Sequence, residues 1–196
     1  MARTRKTAKK GRLLLGRVKS PIGTILVACE GETLCALEFA DSKARMMAAL
    51  RRRHGDFTPI EAADPGGVCT RIRAYLLGQL DALDDIRVDG GGTEFQRRVW
   101  VELRRIAPGE VVSYGALARR MGIPNSVRAV ARANALNPVS IVVPCHRVIG
   151  SDGSLTGYGG GLPRKRWLLE HEGVVVPPAP AKVVRDRRYR ASGPRP

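Results

Sequence analysis

Residues 113–138 read SYGALARRMGIPNSVRAVARANALNP, two short helical patterns separated by Gly122-Ile123-Pro124. Ser113 is a good cap for a helix over Tyr114–Met121, and Gly122 supplies its stop. Asn125 or Ser126 can cap the next helix, which ends before Asn137-Pro138. Two short helices with a tight Gly/Pro turn predict a helix-turn-helix, although an ordinary helical hairpin leaves the same trace. The second helix carries Arg128 and Arg132 four residues apart, hence on one face. Like charges at that spacing disfavour an isolated helix, and a phosphate backbone alongside reverses the sign. A solvated face that tolerates its repulsion is the alternative.

Upstream, Thr93 and Gln96 have the spacing of a capping box, followed by Phe95, Val99, Leu103 and Ile106 at helical intervals. Pro108-Gly109 stops this helix. Asp89-Gly90-Gly91-Gly92 is a flexible break and the expected domain boundary. Before it, Arg12–Val18, Thr24–Glu30 and Thr33–Phe39 read as antiparallel strands joined by turns. Ser42–Arg53 turns to helical spacing, and Gly67–Leu77 predicts a second helix. The expected organisation is a basic tail over 1–11, an α/β domain with a small antiparallel sheet and helices over 12–90, a mainly α-helical domain over 91–174, and a basic Pro/Arg-rich tail over 175–196.

Charge is the strongest compositional signal: 34 basic against 18 acidic residues, a formal net charge of +16. Such an excess favours a polyanionic partner, because each phosphate contact releases condensed counterions. An apolar content of 43% permits a packed core. Nothing predicts a membrane span, and Leu13–Leu15 is too short for the apolar region of a signal peptide. Cys29, Cys35, Cys69 and Cys145 include no C-x-x-C pair and no zinc-like histidine spacing. The expectation is a cytoplasmic protein with reduced thiols, no metal and no cofactor.

Ile141-Val142-Val143 is a buried-strand signal running into Pro144-Cys145-His146-Arg147. Proline ends a strand abruptly, so Cys145 is expected at its tip. A neighbouring imidazole and basic groups would raise its thiolate fraction. The other three cysteines have the surroundings of small buried hydrophobes. His146 poses a geometric problem, since adjacent side chains on extended backbone point to opposite sides. Either the backbone turns there, or the imidazole reaches the sulfur through a water. Glu172 ends the helix Pro163–Glu172, where the dipole disfavours a carboxylate, and is a candidate partner for the imidazole. Gly157-Tyr158-Gly159-Gly160-Gly161 lets backbone approach a ligand closely under the Tyr158 ring.

Pro144-Cys145-His146-Arg147-Val148 resembles the acceptor motif of the O6-alkylguanine-DNA alkyltransferases. The resemblance runs from Phe95 to Gly173, through Ser113-Tyr114, Arg128-Ala129-Val130, Asn137-Pro138, the Gly157–Gly161 loop and Trp167-Leu168-Leu169-Glu170-His171-Glu172-Gly173. In the first half it is looser, carried by Ser20-Pro21-Ile22-Gly23 and Leu37-Glu38-Phe39. It implies a ribonuclease H-like first domain and a winged helix-turn-helix in the second. The implied partner is double-stranded DNA bearing alkylated bases, entered from the minor groove by a monomer. Arg128 would fill the gap left by a flipped nucleotide, with Arg132, Ser113 and Ala129 beside it. Tyr114 would help rotate the nucleotide and protonate the departing guanine. Cys145 would take the alkyl group once and for all, with His146 as base through water and Glu172 orienting the imidazole. Asn137 matches the hinge between recognition helix and acceptor. Tyr158, Gly159 and Gly160 would cover the base, and backbone at Cys145, Val148 and Gly159 would read its edge. O4-alkylthymine is an implied second substrate.

The chain departs from the pattern at Ala131-Arg132, where the family is glycine- or alanine-rich; Arg132 would add a phosphate contact or crowd the groove. Zinc ligands of some relatives are absent from the first half. Two other functions compete: a protein that binds alkylated bases without repairing them, which would lack the cysteine, and a hydrolytic thiol enzyme, whose nucleophile and base normally come from separate segments.

Overall fold

The structure, a computed structural model, describes residues 12–176. Three strands, β1 (Leu13–Val18), β2 (Ile25–Glu30) and β3 (Thr33–Phe39), pair antiparallel where the sequence placed them. The β2–β3 loop is two residues long, and Gly31 at φ 58° supplies the left-handed backbone it needs. A fourth strand, β4 (Ile60–Glu61), lies parallel to β1 and makes the sheet mixed, in the order β3-β2-β1-β4. Two residues are too few to leave an alternating pattern, so nothing in the sequence announced it.

Alternation along β2 sends its side chains into two cores. Leu26 and Ala28 meet Met46 and Leu50 of helix α1 (Lys43–His54). Ile25, Val27 and Cys29 face Val68, Cys69, Ile72 and Tyr75 of α2 (Val68–Leu76) in a cluster that continues into the second half of the chain. That continuity fixes one half against the other. The outer edge of β3 is covered too: Leu37 N–H donates to Pro138 O and Leu37 O accepts from Ser140 N–H, at 3.0 and 2.9 Å. An exposed edge is thereby closed by residues 138–140.

The capping box is present at α3 (Glu94–Arg104): Thr93 Oγ1 accepts from Gln96 N and Gln96 Oε1 from Thr93 N. Val99, Leu103 and Ile106 are fully buried. A short strand β5 (Val112–Ser113) leads into α4 (Tyr114–Arg120), capped by Ser113 Oγ on Ala116 N at 3.1 Å. The second helix of the pair is α5 (Val127–Ala135). Its expected cap is not made by a side chain. A 3₁₀ turn over Pro124–Ser126 leads in instead, with Ser126 N bonded to Ile123 O. Trp100 Nε1 donates to Ala133 O at 2.9 Å and ties α3 to α5. Strand β6 (Val148–Ile149) pairs parallel with β5, and α6 (Leu162–His171) starts with Pro163 in its first turn. Residues 1–11 and 177–196, most of both basic tails, lie outside the described residues. Among the described residues no helix is long and apolar enough to cross a membrane.

Candidate active site

Ile141-Val142-Val143 is not a strand. The segment is a buried turn, closed by Val142 N on Ser140 O and Val143 N on Val139 O, with Ile141 at φ 70°. A β-branched residue resists that conformation, so the surroundings must impose it. Asn137 does much of this. Its Oδ1 accepts from Val139 N at 2.9 Å, while Nδ2 donates to Val143 O at 2.8 Å. The apolar run signalled burial correctly; one amide side chain replaced the neighbouring strand that burial seemed to require.

Past Pro144 the backbone winds into a 3₁₀ turn over Cys145–Arg147. At three residues per turn, successive side chains fan out instead of alternating. The backbone therefore turns at His146 instead of running extended, which removes the opposition of adjacent side chains. Cys145 is 5% exposed and His146 is fully buried.

Glu172, just past the end of α6, is the hub of the cluster. Its Oε1 accepts from His146 Nε2 at 3.0 Å, Arg147 Nη2 at 2.8 Å and Tyr75 Oη at 2.7 Å. Its Oε2 accepts from Arg147 Nε at 2.8 Å, and Arg147 Nη1 continues to Ile106 O. Despite burial, the bonds from His146 and Arg147 hold its carboxyl well below the usual range. The helix dipole opposes a carboxylate here, and four donated hydrogen bonds outweigh it. Since the carboxylate carries no proton, the bond fixes the neutral imidazole as the Nε2–H tautomer. His146 Nδ1 is left buried with no hydrogen-bond partner in the protein.

Burial pushes the Cys145 thiol up to about 11, against smaller lowering effects of a hydrogen bond from Asn137 and the charge of Lys165. The expectation of a thiolate-rich cysteine is therefore not met: the resting side chain is a thiol. Burial also pushes His146 below its ordinary value, outweighing Glu172, so at neutral pH the imidazole is uncharged.

Lys165 was missed in the sequence. It is fully buried, and its Nζ donates to Val148 O at 2.5 Å and Thr156 O at 2.6 Å. These bonds fasten β6 to the loop that precedes Tyr158, and burial lowers its ammonium to about 8. A signal existed: Lys165, Leu168, Leu169 and Glu172 recur at the spacing of a buried helical stripe. Tyr75 lies on the similar stripe Val68, Ile72, Tyr75, which marks burial but not its partner Glu172, and Arg147 stands in the Cys145 motif with nothing to mark its bond to Glu172.

The Tyr158 ring stands edge-on to His146, centroids 6.4 Å apart. A Cβ on Gly160 would lie 2.6 Å from the Phe39 ring and 2.7 Å from that of Tyr158, so only glycine fits. Gly159 lies beside the guanidinium of Arg45. Val148 is buried in β6. Tyr114 opens α4, half-buried, and its hydroxyl accepts from Asn134 Nδ2 at 3.4 Å. Ser113 spends its hydroxyl on the cap, whereas Arg128, Ala129 and Arg132 are exposed on α5. Among the described residues no three His, Cys, Asp or Glu side chains group as a metal ion would need.

Fold and site together define a class: a helix-turn-helix protein with a cysteine, a histidine and a carboxylate buried in its core. The ribonuclease-like domain of 6-O-methylguanine DNA methyltransferases matches residues 13–89, and the DNA-binding domain of the same enzymes matches residues 94–174. The chain belongs to the 6-O-methylguanine DNA methyltransferase family. It is 44% identical over 168 residues to the methylated-DNA–protein-cysteine methyltransferase of Salmonella typhimurium, covering 84% of this chain and 98% of that one. Its namesake from Mycobacterium tuberculosis is 44% identical over 158 residues, 79% of this chain and 89% of the relative. The crystal structure of Mycobacterium tuberculosis O6-methylguanine methyltransferase superposes with a TM-score of 0.68 at 40% identity, covering 82% and 92% of the two chains. A structure of Mycobacterium tuberculosis OGT in complex with DNA gives 0.69 at 39% identity, covering 81% and 92%.

Proposed function

We infer that this chain repairs DNA by direct reversal, moving a methyl or larger alkyl group from O6 of guanine to Cys145 in a single turnover. The observation that carries the residue assignment is the Glu172 hub. It holds one nitrogen of His146 and leaves Nδ1, the other, without a partner in the same turn that bears the thiol.

The helix-turn-helix enters the minor groove of double-stranded DNA, and Arg128 takes the place of the flipped nucleotide. Flipping costs a few kcal/mol and brings the alkylated base to the core. Tyr158, Gly159 and Gly160 cover it, and backbone at Cys145, Val148 and Gly159 reads its edge. Cys145 is nearly closed to solvent, so Tyr114 or the 157–160 loop must shift to admit the base. Cys145 Sγ then attacks the alkyl carbon. The S–C bond forms as the C–O6 bond breaks, the thiol proton passes to His146 Nδ1 through a water, and Tyr114 gives the departing guanine a proton. Asn137 holds the acceptor turn against the end of the recognition helix. No cofactor takes part, the protein acts as a monomer in the cytoplasm, and O4-alkylthymine is a second substrate. A thioether offers no easy route back to a thiol, hence the single turnover.

A duplex bearing a labelled O6-methylguanine separates this function from its rivals. Label on protein is the expected result; an intact lesion would mean binding alone, and a released labelled product would mean hydrolysis. Arg128 has its own test. Arg128→Ala is expected to slow repair of duplex DNA by about 5- to 150-fold while leaving attack on free O6-benzylguanine nearly unchanged, taking one lost DNA contact as about 1–3 kcal/mol. Equal losses on both substrates would place Arg128 in the chemistry or the fold.

A further inference from the structure

We propose that Tyr75, which comes from the first half of the chain, is a positioning residue for alkyl transfer: its hydroxyl holds Glu172 Oε1 and limits how strongly that oxygen stabilises a protonated His146. The inference rests on His146 being the base.

Tyr75 lies far from the acceptor in sequence, on the buried stripe Val68, Ile72, Tyr75 of α2. It is completely buried, and its hydroxyl reaches Glu172 at 2.7 Å. A buried phenol needs a hydrogen-bond partner. The direction of this bond is fixed from both ends. Glu172 keeps no proton, and burial with the nearby carboxylate pushes the Tyr75 phenol far above its usual range. Tyr75 donates.

The grip is held from a second side. His171 Nε2 donates to Tyr75 O at 2.8 Å, and the Tyr75 ring stands edge-on to the His171 ring at 5.1 Å. His171 in turn stacks on Trp167 at 4.8 Å. Helix α2 is thus locked to the end of α6, one residue from Glu172. Small shifts between the halves would be felt at the carboxylate.

The electrostatic consequence follows from sharing. Tyr75, Arg147 and His146 donate to the same oxygen. Each donor draws on the negative charge the others use. The groups around His146 are Glu172 and Lys165 from the region of α6, Arg147 and Cys145 on its own turn, and Tyr158 from the covering loop. Glu172 alone favours the imidazolium; Arg147 and Lys165 disfavour it. Removing the Tyr75 hydroxyl leaves Oε1 a better acceptor for His146, which then protonates at higher pH. A base already protonated cannot take the thiol proton, so the acid limb of the rate profile moves up.

The test is the rate of alkyl transfer from O6-benzylguanine against pH for the unaltered protein, Tyr75→Phe and His146→Gln, with Tm for each. Tyr75→Phe keeps the ring and is expected to shift the acid limb upward by about half a unit to one unit, a unit being 1.36 kcal/mol. A lower Tm with an unmoved limb overturns the proposal, because packing alone would account for it. Placing 3-fluorotyrosine at position 75 strengthens the donor without removing it and is expected to move the limb the other way; no movement counts against the proposal even where Tyr75→Phe folds poorly. His146→Gln is expected to flatten the limb. A limb that survives in that variant overturns the reading of His146 as base and this inference with it. A flattened limb beside an unmoved one in Tyr75→Phe overturns only the inference.

Discussion

Cys145→Ala is expected to abolish alkyl transfer and to leave binding of O6-methylguanine duplexes intact. The two halves of that result have separate causes. Transfer needs a sulfur beside the imidazole, and no other cysteine can supply one. Cys29, Cys35 and Cys69 are buried within the first half of the chain, and the Cys29 thiol is pushed up to about 12 by burial. Under the proposed function, binding depends on residues the substitution does not touch: Arg128 and Arg132 are exposed on α5, while Tyr114 sits at the start of α4. A small side chain is lost from a turn that Asn137 and Pro144 already hold, so the fold survives. Gel shifts with lesion and plain duplexes, beside a transfer assay, check both halves. Loss of binding in a folded variant would show that the DNA surface lies elsewhere.

Glu172→Gln is expected to be the most destabilising conservative change in the molecule. Glutamine keeps the volume but removes the charge that Arg147 and His146 share. Arg147, buried with Nη1 on Ile106 O, would be left as an uncompensated cation. Removing one partner of a buried pair costs about 3–5 kcal/mol. For a domain of this size that is about 6–20 °C in Tm. Transfer should slow as well, because the imidazole loses the partner that sets its tautomer. The pH dependence has a definite sign. Folding depresses the Glu172 pKa, so its contribution is complete above the ordinary carboxylate value of about 4.3 and is lost as the pH falls below that. The gap between the two proteins in thermal melts should be constant from pH 6 to 8 and narrow in acid. A Tm within about 2 °C of the unaltered protein at pH 7 would mean that Glu172 is not ionised in the fold.

Much of this architecture was legible in the sequence because its signals are local. A capping box at Thr93 and Gln96, a cap at Ser113 and apolar runs set between turn formers in β1–β3 each depend on neighbours a few residues apart. The cluster was legible only in part. Chemistry and family resemblance point to Cys145, His146 and Glu172, and the fold brings His146, on the Cys145 turn, to Glu172. Their geometry was not legible. An apolar run such as Ile141–Val143 reports burial and says nothing of what replaces a strand's partners, here the amide of Asn137. The thiol's protonation state is hidden for a related reason: charged neighbours can be read from sequence, whereas the degree of burial cannot. Tyr75 was invisible because its meaning arises only when α2 docks on α6, a contact 97 residues apart along the chain.

The most direct test of the account is the mass of the protein after reaction with a molar excess of duplex containing O6-methylguanine. One added methyl group per chain, mapped by peptide fragmentation to Cys145, with no further repair once every chain is methylated, is the predicted result. Repair that exceeds one lesion per chain, or methylation found mainly on Cys29, Cys35 or Cys69, would contradict it.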